Sequence, residues 1–149
     1  MKLRLGVLDT SYELEIQAII KDAFAVQPWN DRWDDIDVFH LYIRDIIGNT
    51  NSLALGLFDQ EELIGLSLGR LKHWFDGIEY CIDDLCVKSA YQGKGIGSRW
   101  LQMIKAHAQS NGYKEISLRT NRTAPAYRFY LKNGFQELDE CVWLSMKCD

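Results

Sequence analysis

One heptapeptide constrains this chain more than any other stretch. Gln92-Gly93-Lys94-Gly95-Ile96-Gly97-Ser98 follows the apolar-rich run Ile78 to Val87 and opens a helical pattern. Ile96, Trp100, Leu101, Ile104 and Ala108 recur at helical spacing, which predicts a helix over Gly95–Gln109 that stops at Asn111-Gly112. A strand that turns through glycines into a helix brings unpaired backbone N–H groups to one point, at the positive end of the helix dipole. Glycine lets a ligand approach that backbone closely, and Lys94 and Arg99 lie nearby. Such a turn is a seat for a polyanion, a pyrophosphate above all.

Around that turn the pattern is mixed α/β. Lys2 to Leu8 alternates as a short strand, and Ser11 to Phe24 and Asp34 to Ile47 read as helices separated by an aromatic, polar loop over residues 25–33. Ser52 to Phe58 and Glu62 to His73 form a hairpin pattern around Asp59-Gln60-Glu61, and Gly77 introduces the run to Val87. Glu115 to Leu118 reads as a strand, Pro125 to Lys132 as a helix, and Phe135 to Leu138 with Val142 to Met146 as a closing hairpin. The 149 residues fit one domain spanning 1–149.

The formal charge of −4 is unevenly spread. Residues 1–87 carry 7 basic and 16 acidic groups, whereas residues 88–133 carry nine basic groups against Glu115 alone. The basic block suits an anionic ligand and the acidic block a cationic one. The global sign argues against nucleic acid as a partner. No apolar run approaches a membrane span, and Met1 to Gly6 lacks a signal-peptide pattern, so a cytoplasmic protein is expected. Cys81, Cys86, Cys141 and Cys148 lack paired metal-site spacing and are expected as reduced thiols. His40, His73 and His107 are dispersed, so no metal site is expected.

Two nucleotide loops fail against the turn. There is no Gly-Lys-Ser or Gly-Lys-Thr for a phosphate loop, and the Gly-x-Gly-x-x-Gly frame from Gly93 puts Ser98 at the third glycine. Gln92 to Gly97 instead matches Gln/Arg-x-x-Gly-x-Gly/Ala and resembles the acetyl-CoA loop of the GCN5-related N-acetyltransferase (GNAT) superfamily. Ala126-Tyr127-Arg128-Phe129-Tyr130-Leu131-Lys132-Asn133-Gly134-Phe135 is similar to that family's Ala-x-x-Phe-Tyr-x-x-x-Gly-Phe segment. The two motifs stand in the family's order and on the expected elements, and the match is specific over residues 79–135.

The resemblance implies a mostly antiparallel mixed sheet with a central splayed strand pair and flanking helices, and acetyl-CoA as co-substrate. It places the pantetheine arm along the backbone of Leu85, Cys86 and Val87, and the pyrophosphate on the amides of Gln92, Gly93, Lys94, Gly95, Ile96, Gly97 and Ser98. The family's Asn seven residues before the Tyr falls on Thr123, and Asn121 is the nearest Asn. Tyr130 matches the acid that protonates the leaving thiolate, and an N–H near Val87 would polarise the thioester carbonyl.

The base is a choice among carboxylates. Alternation puts Glu79, Cys81, Asp83, Leu85 and Val87 on one strand face and Tyr80, Ile82 and Asp84 on the other. Asp83 is favoured, then Glu79 and Asp84, since polyamine acetyltransferases of the superfamily show a similar acidic pair. Residues 22–45 hold six Asp against Arg32 and Arg44, with Trp29 and Trp33 among them. Aromatic faces beside carboxylates suit an ammonium group, while helix capping and core packing account for the same residues equally well. A small cationic amine, polyamine- or aminoglycoside-like, is the expected acceptor. A protein or peptide N-terminus or lysine, and a non-catalytic CoA-binding sensor, are the alternatives. A homodimer is left open.

Overall fold

A computed structural model describes residues 1–25, 29 and 31–149. Contacts divide the chain into two compact units, Met1–Arg119 and Thr120–Asp149. The first unit runs β1 (Leu3–Leu8), α1 (Glu13–Phe24), α2 (Ile36–Ile47), β2 (Ser52–Asp59), β3 (Glu62–Trp74), β4 (Gly77–Val87), α3 (Ile96–Ser110) and β5 (Glu115–Leu118). The second contains α4 (Pro125–Lys132).

The five strands form one sheet in sequence order, antiparallel except for the parallel pair β4–β5. Antiparallel neighbours need only tight turns, whereas the parallel pair needs a crossover, and α3 supplies it. Ile16, Ile20, Phe39 and Ile43 of α1 and α2 are buried in one cluster with Ala54, Phe58, Leu66 and Leu68 of the sheet. α3 covers β4 and β5, and its buried Trp100 donates from Nε1 to the Leu66 carbonyl at 3.2 Å. Helices on both faces explain why β2 and β3 read as nearly unbroken apolar runs rather than strict alternations.

β4 is eleven residues long, but only Glu79–Ile82 pair with β5. β5 ends at Leu118 opposite Ile82, and among the described residues one backbone edge of Asp83–Val87 has no strand beside it. The expected splayed pair is present. The closing hairpin is not: residues 135–149 form no strand, and Val142, Trp143 and Leu144 are exposed. Its two arms are short, and an isolated two-stranded hairpin is marginal without a third strand or a helix against it. The expected helix starts shift inward, because Asp35 caps α2 by accepting from the Asp37 and Val38 amides.

Candidate active site

The pairing of β3 with β4 holds the main departure from simple alternation. Leu68 faces Asp84 and Gly69 faces Ile82, so Asp83 is an extra residue, a β-bulge. A bulge resets the faces of everything after it. Glu79 and Cys81 share a face with Asp84 and Cys86, while Tyr80 and Ile82 share the α3 face with Leu85 and Val87. The alternation expected from the sequence is corrected on this point. Asp84 turns toward α1 and α2, into a largely apolar layer.

The three carboxylates consequently differ in surroundings. Asp83 is paired with Arg70 at 3.2 Å, and its side chain is 40% exposed. Glu79 accepts from Ser117 Oγ, from Trp74 Nε1 at 2.6 Å and from Cys81 Sγ at 3.3 Å. Those donors, Ser117 foremost, hold its carboxyl below the usual range. Asp84 is pushed up to about 6, mainly by burial, against the opposing pull of a hydrogen bond from the Tyr42 hydroxyl. That bond is 2.5 Å long and reaches Oδ2. A carboxylate with Oδ2 held by a phenol and its titration near neutrality can take up a proton at working pH.

Tyr42 of α2 and Asp31 of the loop before it act on this carboxylate, and the rest of that segment is held by its own contacts. Trp33 lies against Phe39 and Tyr42 with ring centroids 4.8 and 4.7 Å apart. Asp34 is tied to Arg32 at 2.9 Å and Asp35 caps α2. Asp31 is raised by its partial burial, and its charge acts on both Tyr42 and Asp84. Of the aromatic, polar loop over residues 25–33, residues 26–28 and 30 lie outside the described residues. Trp29 rests edge-on against Phe24 at 5.8 Å. Sequence reasoning missed Tyr42: it lies on the apolar-rich α2 pattern and its partner is 42 residues away.

The loop after β4 is fastened on both sides. Asp22 of α1 accepts from the Ser89 amide at 2.8 Å and from its hydroxyl at 2.9 Å. Glu62 accepts from Lys88 Nζ at 3.1 Å and Tyr91 Oη at 3.3 Å, and Gln92 Nε2 donates to the Val87 carbonyl at 2.9 Å. Gly93 and Gly95 then take φ of +75° and +76°. Gly95 is the N-cap of α3, with no side chain capping the helix. The first-turn amides of a fifteen-residue helix are left for a ligand, and open space surrounds both glycines. The Gln92 amide, expected at the pyrophosphate, instead donates to the Ser89 carbonyl at 3.2 Å. Gly93 through Ser98 thus fit the pyrophosphate of a CoA, and the edge of β4 with no strand beside Leu85, Cys86 and Val87 fits an extended amide-bearing arm. Among the described residues no group of three His, Cys, Asp or Glu could hold a metal, and no helix is long and apolar enough to cross a membrane.

Within the second unit, Tyr130 lies on α4 with ring contacts to Phe129 at 5.5 Å and Phe135 at 5.4 Å. The Phe135 amide donates to the Tyr130 carbonyl at 3.0 Å. This accounts for the Phe-Tyr…Gly-Phe spacing: Gly134, at φ +100°, turns the chain so that Phe135 returns onto the tyrosine. Asn121 Oδ1 accepts from the Thr123 amide and hydroxyl at 2.9 and 2.7 Å, a turn that precedes α4.

The acetyltransferase (GNAT) family model matches residues 14–135. An uncharacterized N-acetyltransferase, YhfO, of Bacillus subtilis (strain 168) is 27% identical over 133 residues, which cover 81% of this chain and 88% of that one. Among solved structures, an integron cassette protein from the mobile metagenome of V. cholerae superposes with a TM-score of 0.80 at 15% identity, covering 100% of this chain and 94% of its own. AAC(6')-Iy, in complex with the bisubstrate analogue CoA-S-monomethyl-acetylneamine, gives a TM-score of 0.71 at 14% identity over 99% and 100% of the two chains. The strand–glycine turn–helix, the splayed β4–β5 pair and the matched family model place the chain in the acetyltransferase (GNAT) family, whose reaction is N-acetyl transfer.

Proposed function

We propose that the protein moves the acetyl group of acetyl-CoA to a small cationic amine, with Asp84 as the general base. One observation carries this reading: a half-buried carboxylate beside the open edge of β4, with Oδ2 held by Tyr42 and its titration raised to about 6. An ammonium group cannot attack a thioester until it loses a proton, and Asp84 Oδ1 takes that proton directly or through a water. Acetyl-CoA supplies the activated acetyl group. As the C–N bond forms and the C–S bond breaks, an N–H of the Asp83–Val87 edge stabilises the carbonyl oxygen. Tyr130 is assigned the proton that the departing thiolate takes up, and Asn121 a contact to the CoA, both by the motif they occupy.

The acceptor class rests on charge. Asp31 and Asp84 are carboxylates without a basic partner among the described residues, next to the rings of Trp33 and Tyr42, and aromatic faces with carboxylates favour an ammonium. AAC(6')-Iy, with the same fold, is complexed with an acetylneamine-bearing analogue, in keeping with such an acceptor. The test is acetyl-CoA consumption against spermidine, kanamycin and peptides with free Ala or Ser N-termini. Turnover of spermidine or kanamycin well above the peptides is expected. Preference for the peptides would replace the acceptor class, and tight CoA binding without turnover on any amine would make the chain a CoA-binding sensor.

A further inference from the structure

We infer that Tyr42 is a positioning residue for Asp84, fixing its carboxylate through a hydrogen bond from α2 so that Oδ1 alone serves the acceptor. The inference rests on the reading of Asp84 as the base. Tyr42 is not part of either motif, and nothing in its own sequence neighbourhood marks it. The geometry does. Its hydroxyl meets Asp84 Oδ2 at 2.5 Å across a 42-residue separation, and its ring is held by Trp33 at 4.7 Å. Trp33 is in turn stacked on the fully buried Phe39 at 4.8 Å, so the phenol is supported from the core outward. A phenol already packed against Trp33 costs little further entropy when it orders the carboxyl.

The hydroxyl donates rather than accepts. Burial and the adjacent Asp84 charge both raise Tyr42 well above the ordinary tyrosine range, so it stays protonated at any working pH. Two effects follow. The bond blocks Oδ2 and leaves one defined oxygen for the amine or its water. It also stabilises the ionised carboxylate, opposing burial and the charges of Asp83 and Asp31. The groups facing Asp84 are Tyr42 from α2, Asp31 from the preceding loop, and Asp83 and Cys86 on its own strand. Arg70 of β3 is committed to Asp83. The hydrogen bond from the Tyr42 hydroxyl is what lowers the Asp84 titration.

Tyr42→Phe keeps the ring on Trp33 and removes only the donor. The readout is the Asp84 carboxyl titration, followed by ¹³C NMR in the full-length protein without any acceptor, in wild type and Tyr42→Phe. An upward shift of about one pH unit is expected, the size of a lost hydrogen bond to a charged group. The acidic limb of kcat/KM with spermidine and acetyl-CoA should move up by the same amount, with KM for acetyl-CoA unchanged. An Asp84 titration identical in the two proteins overturns the inference. If Asp84 shifts as expected but Asp84→Asn turns over spermidine, kanamycin and the peptides like wild type, Tyr42 orders a carboxylate that is not the base, and the proposed function fails instead. Thermal unfolding of Tyr42→Phe, expected to remain cooperative, separates either result from loss of fold.

Discussion

Gly69 faces the Cys81 carbonyl so closely that a Cβ on it would stand 2.1 Å from the oxygen and 2.9 Å from Ile82 Cα. Both are backbone atoms of β4, immediately before the extra residue Asp83. Only a glycine admits that approach, and the approach is what lets β4 carry the bulge opposite β3. The faces of Asp84 and Cys86 therefore depend on a residue in a different strand.

Gly69→Ala should force β3 and β4 apart at this point. A loss of about 1–3 kcal/mol is expected, the usual range for inserting a methyl into a tightly packed site, seen as a lower Tm. Because the register beyond the bulge changes too, kcat should fall more than the stability loss alone explains. Gly65→Ala, where a Cβ would meet its nearest atom at 3.1 Å, serves as the milder control.

Gly95 starts α3 at φ +76° with no side chain in its way. Gly95→Ala puts an L-residue in the left-handed region, a strain of about 1 kcal/mol, without any clash. If the first-turn amides hold the pyrophosphate, KM for acetyl-CoA should rise roughly fivefold, the equivalent of that strain, with KM for the amine unchanged. Titration of CoA into the variant by calorimetry checks it.

The raised titration of Asp84 also predicts a stability change with pH. Its ordinary value of 3.8 rises to about 6 in the fold. The folded state therefore binds that proton more tightly than the unfolded chain, and ionising Asp84 costs stability as pH climbs from about 4 to 6. Asp84→Asn keeps an oxygen for Tyr42 and removes the charge. It should be more stable than wild type at pH 8, by on the order of 2–3 kcal/mol and so with a higher Tm, and match it at pH 4. Thermal melts at the two pH values check this.

The elements were legible in the sequence wherever periodicity is local. β5 and α4 match their expected bounds, and the other helices and strands differ by one or two residues at their ends. The polyanion turn was legible too, because glycines between a strand and a helix carry their own conformational signal. The bulge was not. Ile82-Asp83-Asp84 continues the alternation in sequence, and only the contact with Gly69 breaks it. The order that favours Asp83 rests on a family acidic pair, which carries no information on the bulge and so none on which of the two carboxylates turns toward α2. Tyr42 was missed for a similar reason, since its partner lies in another element. The closing hairpin was overread from alternation alone, without a third strand to hold it.

The central claim is that Asp84, rather than the Arg70-paired Asp83, removes the proton from the amine. The most direct measurement is the pH dependence of kcat/KM for wild type, Asp84→Asn and Asp83→Asn, with the best acceptor of the amine series. Wild type should show an acidic limb near pH 6, where Asp84 ionises. Asp84→Asn should lose that limb and roughly 10²–10⁴ in rate, while Asp83→Asn keeps the limb and most of the rate. A full rate in Asp84→Asn, or loss of the limb in Asp83→Asn alone, would contradict the account.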